Sequence, residues 1–270
     1  MIKKINEAVA FIKSRYKEQP SVGIVLGSGL GSFVNEIETE AEISYKDIPH
    51  FPESTVEGHS GKLIFGNLGG KKVVAMAGRF HYYEGYTTQE VVFPIRVLKY
   101  LGIQTLVISN AAGGLNTSYK VGDLMIIKDH ISMLTINPLL GKNESEFGPR
   151  FPDMSEPYKN RLIEKAKKIA TENNIVINEG VYVGVTGPTF ETRSEYKMLH
   201  LLGGDAVGMS TVQEVIAAVH LGLPVFAMSV ITDVGIRDDE NKITHEEVLQ
   251  AAREAEPKLT LIFKQLIAQL

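Results

Sequence analysis

Residues 181–202 read VYVGVTGPTFETRSEYKMLHLL, and this stretch decides the class of fold. Its first five residues are apolar or glycine at consecutive positions, the pattern of a strand covered on both faces. A Gly187-Pro188 turn follows. Thr192, with Glu195 three residues on, then makes the capping box that opens a helix, predicted over 193–202. A covered strand running through a tight turn into a helix is the building unit of an α/β fold. The turn delivers Phe190 and Glu191 to one edge of the sheet. A flat ring can lie on Phe190 while Glu191 accepts from the ring's N–H groups, a pairing that suits a purine. The same six residues also fit a plain turn whose Phe plugs the core and whose Glu sits at a helix N-terminus.

Working outward, the same alternation recurs along the chain. Short apolar runs at 22–26, 63–65, 73–77, 106–109, 124–127, 206–209 and 225–231 read as strands. Helical periodicity lies between them: Ile5, Val9, Ile12 and Tyr16 at the start, then 88–101, 157–171, 211–221 and 244–270. Pro257 is expected to kink or divide the last helix. The expectation is one α/β domain over 1–270, with a largely parallel or mixed central sheet. Residues 135–157, with Asn137-Pro138, Gly148-Pro149 and Phe151-Pro152, form an irregular stretch long enough to suggest a function of its own.

Composition narrows the function classes. The chain has 270 residues, and its formal net charge of −4 argues against a nucleic-acid binder. It has no cysteine, which removes disulfide frameworks and thiolate metal sites. No apolar run approaches membrane-span length and no leader-like segment precedes the first helix, so a cytoplasmic protein without membrane contact is expected.

Several segments at strand ends can carry chemistry. Gly27-Ser28-Gly29-Leu30-Gly31 follows the first strand, where glycines admit a backbone–anion approach and Ser28 adds a donor. It lacks the lysine of a P-loop. It matches a dinucleotide fingerprint only in part, and Glu40 or Glu42 would then have to be the ribose acid. His59 precedes a strand, and Arg79 and His81 follow one. Arg matches paired phosphate oxygens, and the alternative is a surface loop with titrating histidines. Neither H-x-x-x-H spacing nor a close carboxylate suggests a metal, so none is expected. Asn110-Ala111-Ala112-Gly113-Gly114 leaves room for a ligand beside the backbone, or for a close helix–strand contact. Ser210 with Gln213, or Thr211 with Glu214, fits a further capping box. Thr232-Asp233 ends the strand at 225–231, and Thr244-His245 opens the last helix.

Taken together, the segments GIVLGSGLG (23–31), GHSGKLIFG (58–66), GRFHYYEGY (78–86), NAAGGLN (110–116), FGPRFPDMS (147–155), GPTFETRSE (187–195) and AVGMSTVQEV (206–215) closely resemble the trimeric, low-molecular-mass purine nucleoside phosphorylases. The likeness runs from about residue 23 to residue 249. It implies a mixed, partly barrel-like sheet flanked by helices. It implies phosphorolysis of purine nucleosides with inorganic phosphate as co-substrate and no cofactor. It assigns phosphate to Ser28, His59, Arg79, His81, the Ala111 backbone N–H and Ser210. Tyr83 and Met209 would face the ribose and His245 its 5′-hydroxyl. Phe190 and Glu191 would face the purine, with Asn110, Ala112, Gly113, Tyr182, Val207, Thr232 and Asp233 around it. Glu191, Asp233 and His81 are the residues expected to bear most on catalysis. Phe151 resembles the residue lent to a neighbouring subunit, implying a homotrimer.

The departure from the family is Asp233, where 6-oxopurine-selective members carry Asn. An ionised Asp only accepts, and so favours a 6-amino group over O6; a protonated one can donate to N7. Related methylthioadenosine phosphorylases also carry Asp there, although His245 suits a free 5′-hydroxyl better than a methylthio group. A hydrolytic nucleosidase, a dinucleotide-binding redox protein and a non-catalytic nucleoside binder are the remaining alternatives.

Overall fold

The computed structural model describes residues 1–56, 60–134, 136–235 and 243–270. Among the described residues, nine strands form a single mixed sheet: β1 (Val22–Val25), β2 (Glu38–Ser44), β3 (Lys62–Leu68), β4 (Lys71–Ala77), β5 (Thr105–Gly114), β6 (Leu124–Ser132), β7 (Ile177–Gly184), β8 (Ala206–Gly208) and β9 (Val225–Val234). Their spatial order is β2-β3-β4-β1-β5-β8-β7-β6-β9, and β9 pairs back onto β5. The last five strands in that order therefore close into a barrel, and the first four extend from β5 as an open wing. β1 lies parallel to both β4 and β5, β9 runs parallel to β5, and β8 meets β5 antiparallel.

The apolar runs explain this arrangement. All four residues of β1 and nine of the ten in β9 are buried, as consecutive apolar positions require of strands covered on both faces. Around them lie α1 (Ile2–Arg15), α2 (Thr88–Val91), α3 (Phe93–Leu101), α4 (Asn160–Glu172), α5 (Arg193–Leu201), α6 (Val212–His220) and α7 (His245–Ala268). α7 packs on β9 and α4, and α3 packs on α1 and α6. Each fully buried Leu, Ile or Phe here contributes about 1.5–3 kcal/mol, so Ile108→Ala on the barrel strand β5 costs about 2–5 kcal/mol.

Three elements differ from expectation. β2 carries only one buried residue, Ile43; an edge strand covered on so little of its surface shows no apolar run. The helix expected over 88–101 is divided at Val92, because Pro94 sits at the start of α3 and has no N–H to continue the ladder. Conversely, Pro257 does not divide α7. The buried Leu249, Ala252, Leu259 and Phe263 on either side hold one continuous 24-residue helix despite the lost hydrogen bond. Among the described residues no helix is long and apolar enough to cross a membrane.

Candidate active site

One cleft gathers segments from seven places in the chain. It is lined by the loop after β1, the segment after β4, the last residues of β5 and β9, the turn after β7, the segment after β8 and the start of α7. Of the residues singled out in the sequence, Ser28, Arg79, His81, Tyr83, Asn110, Ala111, Ala112, Gly113, Phe190, Glu191, Val207, Met209, Ser210, Thr232, Asp233 and His245 all border it. His59 lies outside the described residues. Tyr182 is not on the cleft wall: it is fully buried behind it, and its hydroxyl accepts a hydrogen bond from the Ser210 N–H at 3.4 Å. Phe151 is 86% exposed and lines a separate surface cavity with His130, Leu139 and Arg150.

At one end the cleft is a cluster of donors. Arg79 is 1% exposed, and its guanidinium holds Glu214 at two points, Nε to Oε1 at 3.2 Å and Nη2 to Oε2 at 3.1 Å. Its Nη1 donates to the Ser109 carbonyl at 2.7 Å and reaches Ser210 Oγ at 3.4 Å. His81 is fixed by Glu84, whose Oε1 lies 2.9 Å from Nδ1 and accepts from the His81 backbone N–H at 2.8 Å. Burial works against charge on Glu84, but hydrogen bonds from His81 and Thr55 outweigh it and hold the carboxyl down at about 2. The His81 ring stacks on Tyr83, with centroids 4.6 Å apart. Burial, helped by Glu84, pushes the Tyr83 phenol up to about 12, so it remains a donor.

Backbone geometry supports the same end. Gly27 comes so close to β5 that a Cβ there would stand 2.7 Å from the Asn110 Cα, so only glycine lets the Ser28 loop lie on that strand. Thr211 has φ 71° and ψ −53°, and the Val212 N–H donates back to the Ser210 carbonyl at 2.7 Å. This is the strained, positive-φ γ-turn, and it stores about 1–3 kcal/mol. Thr211 N–H donates to Glu214 Oε2 at 3.0 Å and its Oγ1 accepts from Asn110 Nδ2 at 2.8 Å. Of the two capping boxes the sequence allowed, the Thr211–Glu214 pair forms. Asn110 Oδ1 is buried with no hydrogen-bond partner among the described residues, an acceptor that a ligand can satisfy.

The opposite end carries a ring and acceptors. Phe190 remains partly exposed beside Glu191, whose carboxyl is pushed up mainly by burial, with Asp233 adding to the rise and Tyr196 opposing it. Asp233 is buried, and its Oδ2 accepts from Tyr196 Oη at 2.9 Å while Oδ1 accepts from Thr232 Oγ1 at 3.2 Å. Donors for an anion and acceptors for a ring N–H thus face each other across one cavity.

Sequence reasoning missed Glu84, Tyr196 and Glu214 as site residues. The signal for two of them was present, since Glu214 occupies the third helical position of one capping box and Tyr196 the fourth position after another. Glu40 and Glu42, the acids required by a dinucleotide reading, lie on the edge strand β2. There they pair with Lys72 and Lys62 at 2.6 and 2.8 Å, outside the cleft. Among the described residues no group of three or more His, Cys, Asp or Glu is placed to hold a metal ion.

Comparison with known proteins places this geometry in context. Residues 21–268 match the Phosphorylase superfamily. The chain is 48% identical over 266 residues to purine nucleoside phosphorylase 1 of Bacillus subtilis, covering 98% of each chain. It is 46% identical to the purine nucleoside phosphorylase of Bos taurus, covering 98% of this chain and 94% of the bovine one. The crystal structure of Schistosoma mansoni purine nucleoside phosphorylase in complex with adenosine superimposes with a TM-score of 0.95 at 42% identity, covering 100% of this chain and 98% of that one.

Proposed function

This chain belongs to the phosphorylase superfamily, among the purine nucleoside phosphorylases, and on that premise we propose that its cleft performs reversible phosphorolysis of purine nucleosides. The observation that carries the reading is the polarity of the cleft. Arg79, His81, Ser28 and Ser210 offer donors at one end, and Phe190, Glu191 and Asp233 offer a ring and acceptors at the other. A nucleoside held between them presents C1′ to bound phosphate.

The chemistry follows from where charge develops. As the C1′–N9 bond breaks, its electron pair leaves with the purine and the ribose becomes oxocarbenium-like. Phosphate oxygen then forms the new bond to C1′, giving pentose 1-phosphate, and the proton of hydrogen phosphate ends on the free base. Arg79 and His81, each already fixed by its own carboxylate, hold the phosphate with little reorganisation. Ser28, Ser210, the Ala111 N–H and His59 complete that shell in this reading. Tyr83, Met209 and His245 receive the pentose. Glu191 accepts from ring N–H groups while Phe190 covers the base, with Asn110, Ala112, Gly113, Val207 and Thr232 forming the walls. Tyr182 acts from behind, through Ser210. Positioning and fixed dipoles supply most of the rate, and phosphate is the one co-substrate.

Asp233 widens the base preference toward 6-aminopurines, because an ionised carboxylate accepts from an amino group and repels O6. The exposure of Phe151 supports a homotrimer in which this ring closes a neighbour's cleft. Purine salvage in the cytoplasm is the setting this reading implies. The deciding experiment compares phosphate-dependent turnover of inosine, guanosine, adenosine and methylthioadenosine. Cleavage that proceeds equally well without phosphate would refute phosphorolysis, and a marked preference for methylthioadenosine would refute the substrate class.

A further inference from the structure

Tyr196 lies between the two carboxylates at the base end and has no part in the function proposed above. It is 2% exposed, and its hydroxyl donates to Asp233 Oδ2 at 2.9 Å. The same hydroxyl is in hydrogen-bonding contact with Glu191. Two glycines make its seat. A Cβ on Gly235 would stand 2.1 Å from the Tyr196 ring, and one on Gly113 would stand 2.9 Å from its hydroxyl.

The start of α5 explains why these groups meet. Thr192 is the N-cap and Glu195 the third helical residue of a capping box. In that motif the residue before the cap and the fourth helical residue pack together, commonly as an apolar staple. Here those two positions are Glu191 and Tyr196. Helix capping therefore brings the phenol to the purine-facing carboxylate, and the end of β9 brings Asp233 to its other side.

We propose, resting on the phosphorolysis reading above, that Tyr196 is a positioning residue for base discrimination: its hydroxyl orients the Asp233 carboxyl as an acceptor toward position 6 of the purine. A hydrogen bond donated to a carboxylate favours its charged form. Burial and the two neighbouring carboxylates push the phenol's own ionisation upward, so its proton remains available for donation. Without the phenol, Asp233 loses this hydrogen bond to Oδ2 and keeps the Thr232 contact. Its carboxyl can then turn away from position 6, and the advantage of an amino group over O6 falls.

The test measures kcat/KM for adenosine and for inosine, at saturating phosphate, in the parent protein, Tyr196→Phe, Asp233→Asn and the double variant. The adenosine-to-inosine ratio is taken within one preparation, so any loss of folded protein cancels; thermal melts are recorded alongside. Tyr196→Phe is expected to lower the ratio about tenfold, equivalent to about 1.4 kcal/mol. On the Asp233→Asn background the same Tyr-to-Phe change should move the ratio less than about twofold, since no carboxylate remains to be held. An unchanged ratio in Tyr196→Phe overturns the proposal, as does an equal change on both backgrounds. Parent protein that cleaves neither nucleoside with phosphate refutes phosphorolysis itself. A ratio unmoved by Asp233→Asn alone refutes the role of Asp233, and the Tyr196 proposal with it.

Discussion

Replacing Glu214 by Gln should make the fold depend on phosphate. The Arg79 and Glu214 side chains are 1% and 3% exposed, and two contacts of 3.1–3.2 Å join them. Breaking a buried ion pair from one side costs about 3–5 kcal/mol, because the remaining charge loses its counter-ion. Gln preserves the volume, and its amide oxygen can still accept from Arg79 or from the Thr211 N–H, so the lower end, about 3 kcal/mol, is expected. At about 2 °C per kcal/mol for a chain of this size, the melting temperature should fall by roughly 6 °C in phosphate-free buffer. Inorganic phosphate then supplies the missing anion. A tenfold tighter Kd adds about 1.4 kcal/mol, so the phosphate-induced rise in melting temperature should exceed the parent's by roughly 3 °C. Differential scanning fluorimetry with and without phosphate, and calorimetric titration of phosphate, measure both quantities. A variant that melts within 2 °C of the parent would show that the pair does not support the fold. A phosphate shift no larger than the parent's would show that Arg79 does not meet phosphate.

Glu191 should place an acid limb on kcat/KM for inosine above the usual carboxylate range, since burial first and Asp233 second raise its carboxyl. The sign for stability is opposite: the fold favours neutral Glu191, a contribution present below about pH 4.5 and lost as pH rises through the raised value. Glu191→Gln should abolish the limb and lower kcat/KM about 100-fold; a limb that survives the substitution rejects the assignment. Glu84 behaves in the reverse sense, because its carboxyl is held at about 2. Its contribution is present above about pH 4.5 and fades toward pH 2, so the difference in melting temperature between Glu84→Gln and the parent should shrink over that window. A constant difference down to pH 2 contradicts it. Phe151→Ala should leave the melting temperature within about 2 °C, because the ring is 86% exposed, yet lower kcat/KM about tenfold through a lost aromatic contact. Sedimentation as a monomer, or unchanged kinetics, excludes the shared site.

Local features were legible in the sequence where one segment determined them. The covered strands announced themselves as apolar runs, the box at Thr192 marked the start of α5, and Thr244-His245 that of α7. Pairing between distant segments was not legible. Glu84 is three residues from His81, yet nothing in GRFHYYEGY distinguishes a buried partner from a solvated carboxylate. Glu214 could be read as a helix cap, but its second role depends on Arg79, 135 positions earlier in the chain. β2 left no pattern, because Glu40 and Glu42 are paired at a solvent-exposed edge. Barrel closure was visible only through the family resemblance, since the β5–β9 register has no signature in either strand.

Arg79 and His81 at the anion end each have their own carboxylate, and this has a chemical consequence. Glu214 holds Arg79 and balances its charge, and Glu84 holds the His81 ring. A free cation would bind phosphate more tightly but would be costly to bury in the absence of ligand. In the proposed reaction, the paired arrangement keeps the donors in place while phosphate enters and pentose 1-phosphate leaves. The base end follows the complementary rule: two acceptors share one neutral phenol, and Tyr196 limits the repulsion that Glu191 and Asp233 would otherwise exert on each other. Capping links the two ends to the barrel, because Glu214 closes the first turn of α6 while Tyr196 sits in the first turn of α5. Glu214 thus both orients Arg79 and caps the start of α6, which ties its loss to the site and to the fold.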